Sequence, residues 1–149
     1  MTLRTCEVNG VPGTFQRVRG TVEGEALLAE NRRMFFQETE RFRRCRFWYA
    51  DFTGSDLAGV SADHIKALRQ IAEEAATLQP DLAVAIVAPE DLQFALGRMW
   101  SLLAEVTGWR TGTFRRAEEA CRWLAEDLGR EFPAAALPRD DDPGADDPG

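Results

Sequence analysis

This chain of 149 residues is poor in the side chains that carry most enzymatic chemistry. It has one histidine, His64, one lysine, Lys66, and three cysteines, Cys6, Cys45 and Cys121. The cysteines are odd in number and far apart, so no disulfide framework is implied, and their usage fits a reducing compartment. No cysteine or carboxylate stands at a metal-ligand spacing from His64. There is no Gly-x-Ser-x-Gly elbow, no dinucleotide fingerprint and no phosphate loop. No cofactor is therefore expected. The longest apolar run, residues 82–88, falls far short of the roughly 20 residues that span a bilayer, so no integral membrane segment is expected. Residues 1–7 lack an apolar stretch, so no secretory signal is expected and the cytoplasm is the expected location. The net charge of −7 argues against a nucleic-acid module, which needs a basic surface.

What is present is an ordinary core. Hydrophobic residues make up 44% and charged residues 29% of the chain, as in soluble globular domains. A chain of this length fits one domain that buries roughly two-thirds of its unfolded surface. Residues 2–8 and 14–20 favour β structure and flank Asn9-Gly10-Val11-Pro12-Gly13, which predicts an opening hairpin. Residues 23–40 read as a helix with Leu27, Leu28, Asn31, Met34, Phe35 and Phe42 near one face.

Phe47-Trp48-Tyr49-Ala50-Asp51-Phe52 is apolar on both faces, the pattern of a strand inside a covered sheet. A loop follows, and Ser61 is placed to cap a helix over residues 61–78 with Ile65, Leu68, Ile71, Ala72, Ala75 and Leu78 inward. Leu82-Ala83-Val84-Ala85-Ile86-Val87-Ala88 is a second buried strand. Pro89, Glu90 and Asp91 then open a helix over residues 92–106. Residues 112–114 form a short strand candidate, and residues 116–128 a last helix with Ala117, Ala120, Cys121, Leu124 and Leu128 on one face. The order β-β-α-β-α-β-α-β-α predicts an α/β domain over residues 1–132. Its sheet, of four or five strands, is mostly parallel with an antiparallel N-terminal hairpin, and about four helices cover it. Residues 133–149, rich in proline, glycine and aspartate, read as a disordered acidic tail.

Few side chains stand out as chemistry. His64 lies beside the apolar stripe of its helix and reads as an exposed histidine without a role. Asp51 ends a strand at the sheet's carboxyl edge, where ligands bind in such folds, but the acidic pair and strand-end lysine of a phosphoacceptor site are missing. It reads as a strand-end or capping residue. Arg41-Phe42-Arg43-Arg44-Cys45-Arg46 reads as a solvated basic turn. On the helix over residues 92–106, hydropathy places Leu92, Ala95, Leu96, Met99, Leu102, Leu103 and Val106 inward. Phe94, Gly97, Arg98 and Ser101 then fall outside, with Trp100 at the flank. Phe94, Arg98, Trp100 and Ser101 form a candidate interface on this reading. The alternative is that Phe94 packs under the tail or a loop.

Four stretches, in order and spacing, resemble the SpoIIAA-like (STAS/SEC14-domain) family, whose fold is that of anti-sigma-factor antagonists. They are Val18-Arg19-Gly20-Thr21-Val22-Glu23-Gly24; Tyr49-Ala50-Asp51-Phe52 with Leu57-Ala58-Gly59-Val60-Ser61; the run from Val84 through Pro89-Glu90-Asp91-Leu92 to Met99; and Phe114-Arg115-Arg116-Ala117 to Leu124. The likeness spans about residues 14–128. It implies a single STAS-like domain. In the antagonists, a serine at the start of the second helix is phosphorylated by a partner kinase, a change of about −1.5 to −2 in charge. Ser61 holds the matching position, with Thr53 and Ser55 in the preceding loop. Here Val60-Ser61-Ala62-Asp63 replaces the antagonists' Asp-Ser-Ser-Gly or Asp-Ser-Thr-Gly. Ser61 thus has two readings, helix cap and phospho-acceptor, and the cap is the commoner role.

The expected function is a non-enzymatic binding or regulatory domain that contacts an unidentified protein partner, a second copy of itself included. A small apolar ligand or lipid carrier is the alternative, and an unrecognised enzyme the third reading. The carrier needs an enclosed apolar pocket of roughly 300–1,000 Å³. The enzyme needs Asp51, Thr53, Ser55 and His64 to cluster.

Overall fold

A computed structural model describes residues 1–139. The order is β1 (Thr2–Val8), β2 (Val11–Arg17), β3 (Gly20–Thr21), α1 (Gly24–Phe36), α2 (Thr39–Arg44), β4 (Phe47–Asp51), β5 (Ser55–Asp56), α3 (Ala62–Leu78), β6 (Ala83–Val87), α4 (Asp91–Leu103), β7 (Arg110–Phe114) and α5 (Ala117–Leu128). The main sheet runs β1-β2-β4-β6-β7, and β3 and β5 form a small second sheet. Only the β1–β2 pair is antiparallel; β2–β4, β4–β6 and β6–β7 are parallel. This is the α/β architecture expected from the alternating pattern.

Strands are added in one direction from β2 to β7, and right-handed crossovers then place α1, α3 and α4 on one face. Helix α5 follows the last strand and covers the other face against β6. The two-sided strands divide their side chains with period two. Trp48, Ala50, Val84 and Ile86 enter the core under α1, α3 and α4. Phe47, Tyr49, Ala83, Ala85 and Val87 enter the core under α5. Trp48 is a hub of the first core, with ring centroids 5.2 Å from Phe35, 5.9 Å from Trp100 and 6.5 Å from Trp109.

Four local readings are corrected. The opening turn is only Asn9-Gly10, both with positive φ, so Val11-Pro12-Gly13 belongs to β2. The helix predicted over 23–40 breaks after Phe36. The chain turns so that Phe42 of α2 is fully buried, 4.6 Å from Phe35 between ring centroids. The arginines of the supposed basic turn lie on or just after α2, and Arg41, Arg43 and Arg46 pair with Glu38, Glu40 and Asp81. Finally, the chain packs beyond Pro133. Phe132 and Leu137 are buried in the second core, and the Pro138 carbonyl accepts from Arg17. The rest of the predicted tail, residues 140–149, lies outside the described residues.

Helix α4 is rotated from its predicted orientation. Gln93, Gly97, Trp100 and Ser101 are the buried positions, and Leu96, Met99 and Leu103 of the predicted stripe pack partly buried on the first core, whereas Leu92, Ala95 and Leu102 are exposed, as is Val106 just beyond the helix. A Cβ at Gly97 would lie 2.9 Å from Thr113 Cγ2 and 3.4 Å from Ile86 Cγ2. The helix therefore seats its smallest residue on the sheet, and close approach outweighs the larger aliphatic stripe.

Gly13 shows a tighter version of the same constraint. A Cβ there would sit 2.2 Å from the ring of Phe47, which is fully buried. Gly13→Ala is expected to destabilise the fold by about 2–3 kcal/mol through overpacking. Urea denaturation would show the midpoint falling with an unchanged slope.

Candidate functional site

The carboxyl ends of β2, β4 and β6 share one edge of the sheet with the starts of α1, α3 and α4. The loop after β4 is built there from local bonds. Asp51 Oδ1 accepts from the Thr53 amide at 3.0 Å, and the Ser55 amide and hydroxyl both donate to the Phe52 carbonyl, at 3.0 and 2.6 Å. Gly54 supplies the positive φ the turn needs. Asp56 Oδ1 then accepts from the Ala58 amide, and Leu57 and Val60 plug into the core. Gln93 of α4 clamps the loop from below. Its buried side-chain amide donates to the carbonyls of Phe52 and Ser55, at 2.9 and 3.0 Å.

These bonds separate the three hydroxyl candidates. Thr53 is exposed at the loop tip, and Ser61 is exposed at the start of α3. Ser55 is buried with its hydroxyl spent on Phe52, so this conformation does not offer it to a kinase. The candidate interface on α4 divides too. Arg98 is exposed, and Phe94 is partly buried with the Arg115 guanidinium 4.4 Å above its ring. Trp100 is buried against Trp48, and Ser101 is buried with its hydroxyl 3.1 Å from that of Thr113. Those two are packing residues because α4 is rotated from the predicted face.

His64 does have a role, which periodicity concealed. Ser61 Oγ accepts from the His64 amide at 3.2 Å, and His64 Nδ1 accepts from the Ser61 amide at 3.0 Å. This is a reciprocal capping box with histidine in the place usually held by glutamate. Because Nδ1 is an acceptor, the neutral ring carries its proton on Nε2, which faces Glu25 Oε1 at 3.4 Å. The ring also lies where a Cβ on Gly24 would be, 2.2 Å away, so it wedges the start of α1 against the start of α3. Ser61 Oγ, His64 and Glu25 are thus in line, with Oγ 3.0 Å from Nδ1. The lone pair that a general base would use is already engaged by the Ser61 amide. Asp51 pairs with Arg17 at 3.8 Å and bonds the Thr53 amide, and among the described residues no hydrogen bond or ion pair joins Asp51, Thr53 or Ser55 to His64.

The thiols are placed for packing. Burial pushes Cys6 up to about 12 and Cys121 up to about 11, and it raises Cys45 as well. Thiols held protonated are poor nucleophiles at neutral pH.

Behind the loop lies a small apolar cavity of about 60 Å³, bounded by Leu57, Ile65, Leu68, Trp48, Ile86 and Trp100 among others. Trp48 Nε1 is buried and has no hydrogen-bond acceptor among the described residues. Among those residues, no helix is long and apolar enough to cross a membrane.

No family model and no curated protein matches the sequence. The chain is similar in structure to an uncharacterised protein of the DUF3478 family with a SpoIIAA-like fold from Shewanella loihica PV-4. The two share 15% sequence identity with a TM-score of 0.54, over 82% of this chain and 91% of that one. The fold is SpoIIAA-like, as the four sequence stretches implied.

Two outcomes test this local chemistry. Ser61→Ala removes the cap acceptor and is expected to cost about 1 kcal/mol, lowering the melting temperature by about 3 °C, whereas Ser61→Asp retains most of the stability. The thiols set a pH dependence. They ionise near 9.0 when unfolded and higher when folded, so above that pH the unfolded chain binds fewer protons and stability falls. Burial raises Tyr49 in the same direction. Denaturation midpoints are expected to drop between about pH 8 and pH 10.5, and less in a Cys6→Ala variant.

Proposed function

We propose that this SpoIIAA-like domain is a non-enzymatic binding module that presents the loop over residues 53–61, with the starts of α1 and α3, to a protein partner. One observation supports this reading above others. The loop is fixed from beneath by Gln93, yet it leaves Thr53 and Ser61 exposed. A preorganised loop presents contacts without an ordering cost at binding. Ser61 in addition sits at the N-terminus of the 17-residue α3, where the helix field favours an added phosphate. On this reading the cap and the phospho-acceptor are one residue. Phosphorylation would exchange the bond from the His64 amide for a charged one, and would set a dianion near Glu25.

The cavity supports a second reading, an apolar-ligand carrier. Its walls are apolar, and the unpartnered Trp48 N–H could donate to a ligand acceptor. At about 60 Å³ it has room for a few waters, well below the roughly 300–1,000 Å³ of ligand sites. A carrier would therefore need α3 and α4 to part from the sheet.

Affinity purification from the native host, comparing the wild type with Thr53→Arg/Ser61→Arg, addresses the first reading. A partner retained by the wild type and lost by the folded variant is the expected result, with any phosphate found on Ser61 and none on Ser55. If no partner depends on the loop, the reading fails. Native mass spectrometry of the purified chain addresses the second. A retained apolar ligand would favour the carrier, and the bare mass alone would count against it.

A further inference from the structure

β7 is an edge strand, and its outer side is unpaired among the described residues. The bonds at its ends fix which residues face outward. The Arg110 amide donates to the Leu82 carbonyl, and the Phe114 carbonyl accepts from the Ala88 amide. Main-chain groups alternate along a strand, so Arg110, Gly112 and Phe114 serve β6, while Thr111 and Thr113 turn theirs to the open side. No proline lies in this edge strand, and its one charge, Arg110, stands at its first residue and is taken up by Asp127 and Asp81, so residues 111–114 carry none of the usual devices against pairing. A groove of about 250 Å³ runs alongside, bounded by Arg98, Ser101, Leu102 and Glu105 of the α4 segment and by residues 111–113 of β7.

We propose that this edge pairs with a second copy of the chain, β7 against β7 about a two-fold axis at Gly112. Antiparallel pairing there sets Thr111 opposite the partner's Thr113, and each such pair exchanges both of its main-chain bonds. Three features of α4 and of the 3₁₀ turn that extends it (Ala104–Thr107) agree with that axis. The first is position. Ser101 bonds to Thr113 through its hydroxyl and to Thr111 through its carbonyl, at 3.1 and 3.4 Å, so it lies over Gly112. The axis therefore passes beside Ser101 and Leu102.

The second is spacing. Gly97 rests on both Ile86 of β6 and Thr113 of β7, which seats α4 between the two strands. That is one strand spacing from the axis, so the two α4 helices come about 10 Å apart, the ordinary distance for packed helices.

The third is charge. An axis at residues 101–102 sets Arg98 against the partner's Glu105, twice by symmetry, and Leu102 against its own copy. Arg98 and Glu105 are exposed and have no ion-pair partner among the described residues, and Leu102 is 59% exposed. Two turns of helix separate Arg98 from Glu105, so they do not neutralise each other within one chain. Isologous contact supplies both partners.

Sedimentation of the full chain from micromolar to millimolar concentration tests this pairing. The wild type is expected to dimerise. Arg98→Glu alone, or Glu105→Arg alone, sets like charges together twice and is expected to weaken the dimer by roughly tenfold or more. The double exchange Arg98→Glu/Glu105→Arg is expected to restore wild-type affinity. Thr113→Pro deletes an outward N–H and is expected to give a monomer; the exposed charge exchanges decide the matter if that variant does not fold. A wild type that stays monomeric overturns the proposal. So does a dimer indifferent to the single exchanges, or one that the double exchange fails to recover.

Discussion

The close approach of α4 to the sheet at Gly97 is the constraint on which much else rests. With no side chain at that point, the helix settles on Ile86 and Thr113. Gln93 and Trp100, one turn to either side, are then carried inward. Gln93 arrives under the loop after β4, joins Ser55 in bonding the Phe52 carbonyl, and supplies a donor to the Ser55 carbonyl, where an unpaired polar group in the interior costs about 1–3 kcal/mol. Trp100 arrives against Trp48 and closes one wall of the cavity. The same rotation leaves Leu102 and Arg98 outside. Loop, cavity and outer surface are therefore set by one helix orientation.

That orientation also explains what could be read in advance. β4 and β6 were legible because a strand buried on both faces leaves a continuous apolar run. α3 and α5 were legible because their inward faces are apolar throughout and follow the helical period. α4 was misread because hydropathy weights size. Its most buried positions are a glutamine, a glycine, a serine and one tryptophan, set by fit and hydrogen bonding, with Leu96, Met99 and Leu103 only partly buried beside them. The break between α1 and α2 was hidden for a related reason. No proline or glycine marks it, and only the tertiary demand for Phe42 beneath Phe35 imposes it.

The candidate site was partly legible. Ser61 as cap followed from residue type and position. Its reciprocal partner did not, because histidine is an unusual residue for the third helical position of a capping box. A search at that spacing for any side chain with an acceptor would have found His64. The burial of Ser55 depends on Gln93, 38 residues away, and no local pattern contains it.

The first hairpin and the last described residues hold each other. The Asn9 side chain donates to the Glu131 carbonyl, Arg17 to that of Pro138, and Phe132 packs on Phe47 at 4.9 Å between ring centroids. The two hydrogen bonds join residues about 120 positions apart. A chain emerging from the ribosome can lay down β1, β2 and β4 early, but the face bearing Phe47 and Tyr49 has no cover until α5 and the segment after it are made. At roughly 5–20 residues per second, that face stays open for several seconds during synthesis. The nascent chain is then most prone to stick to others, and the final dozen or so described residues end that interval.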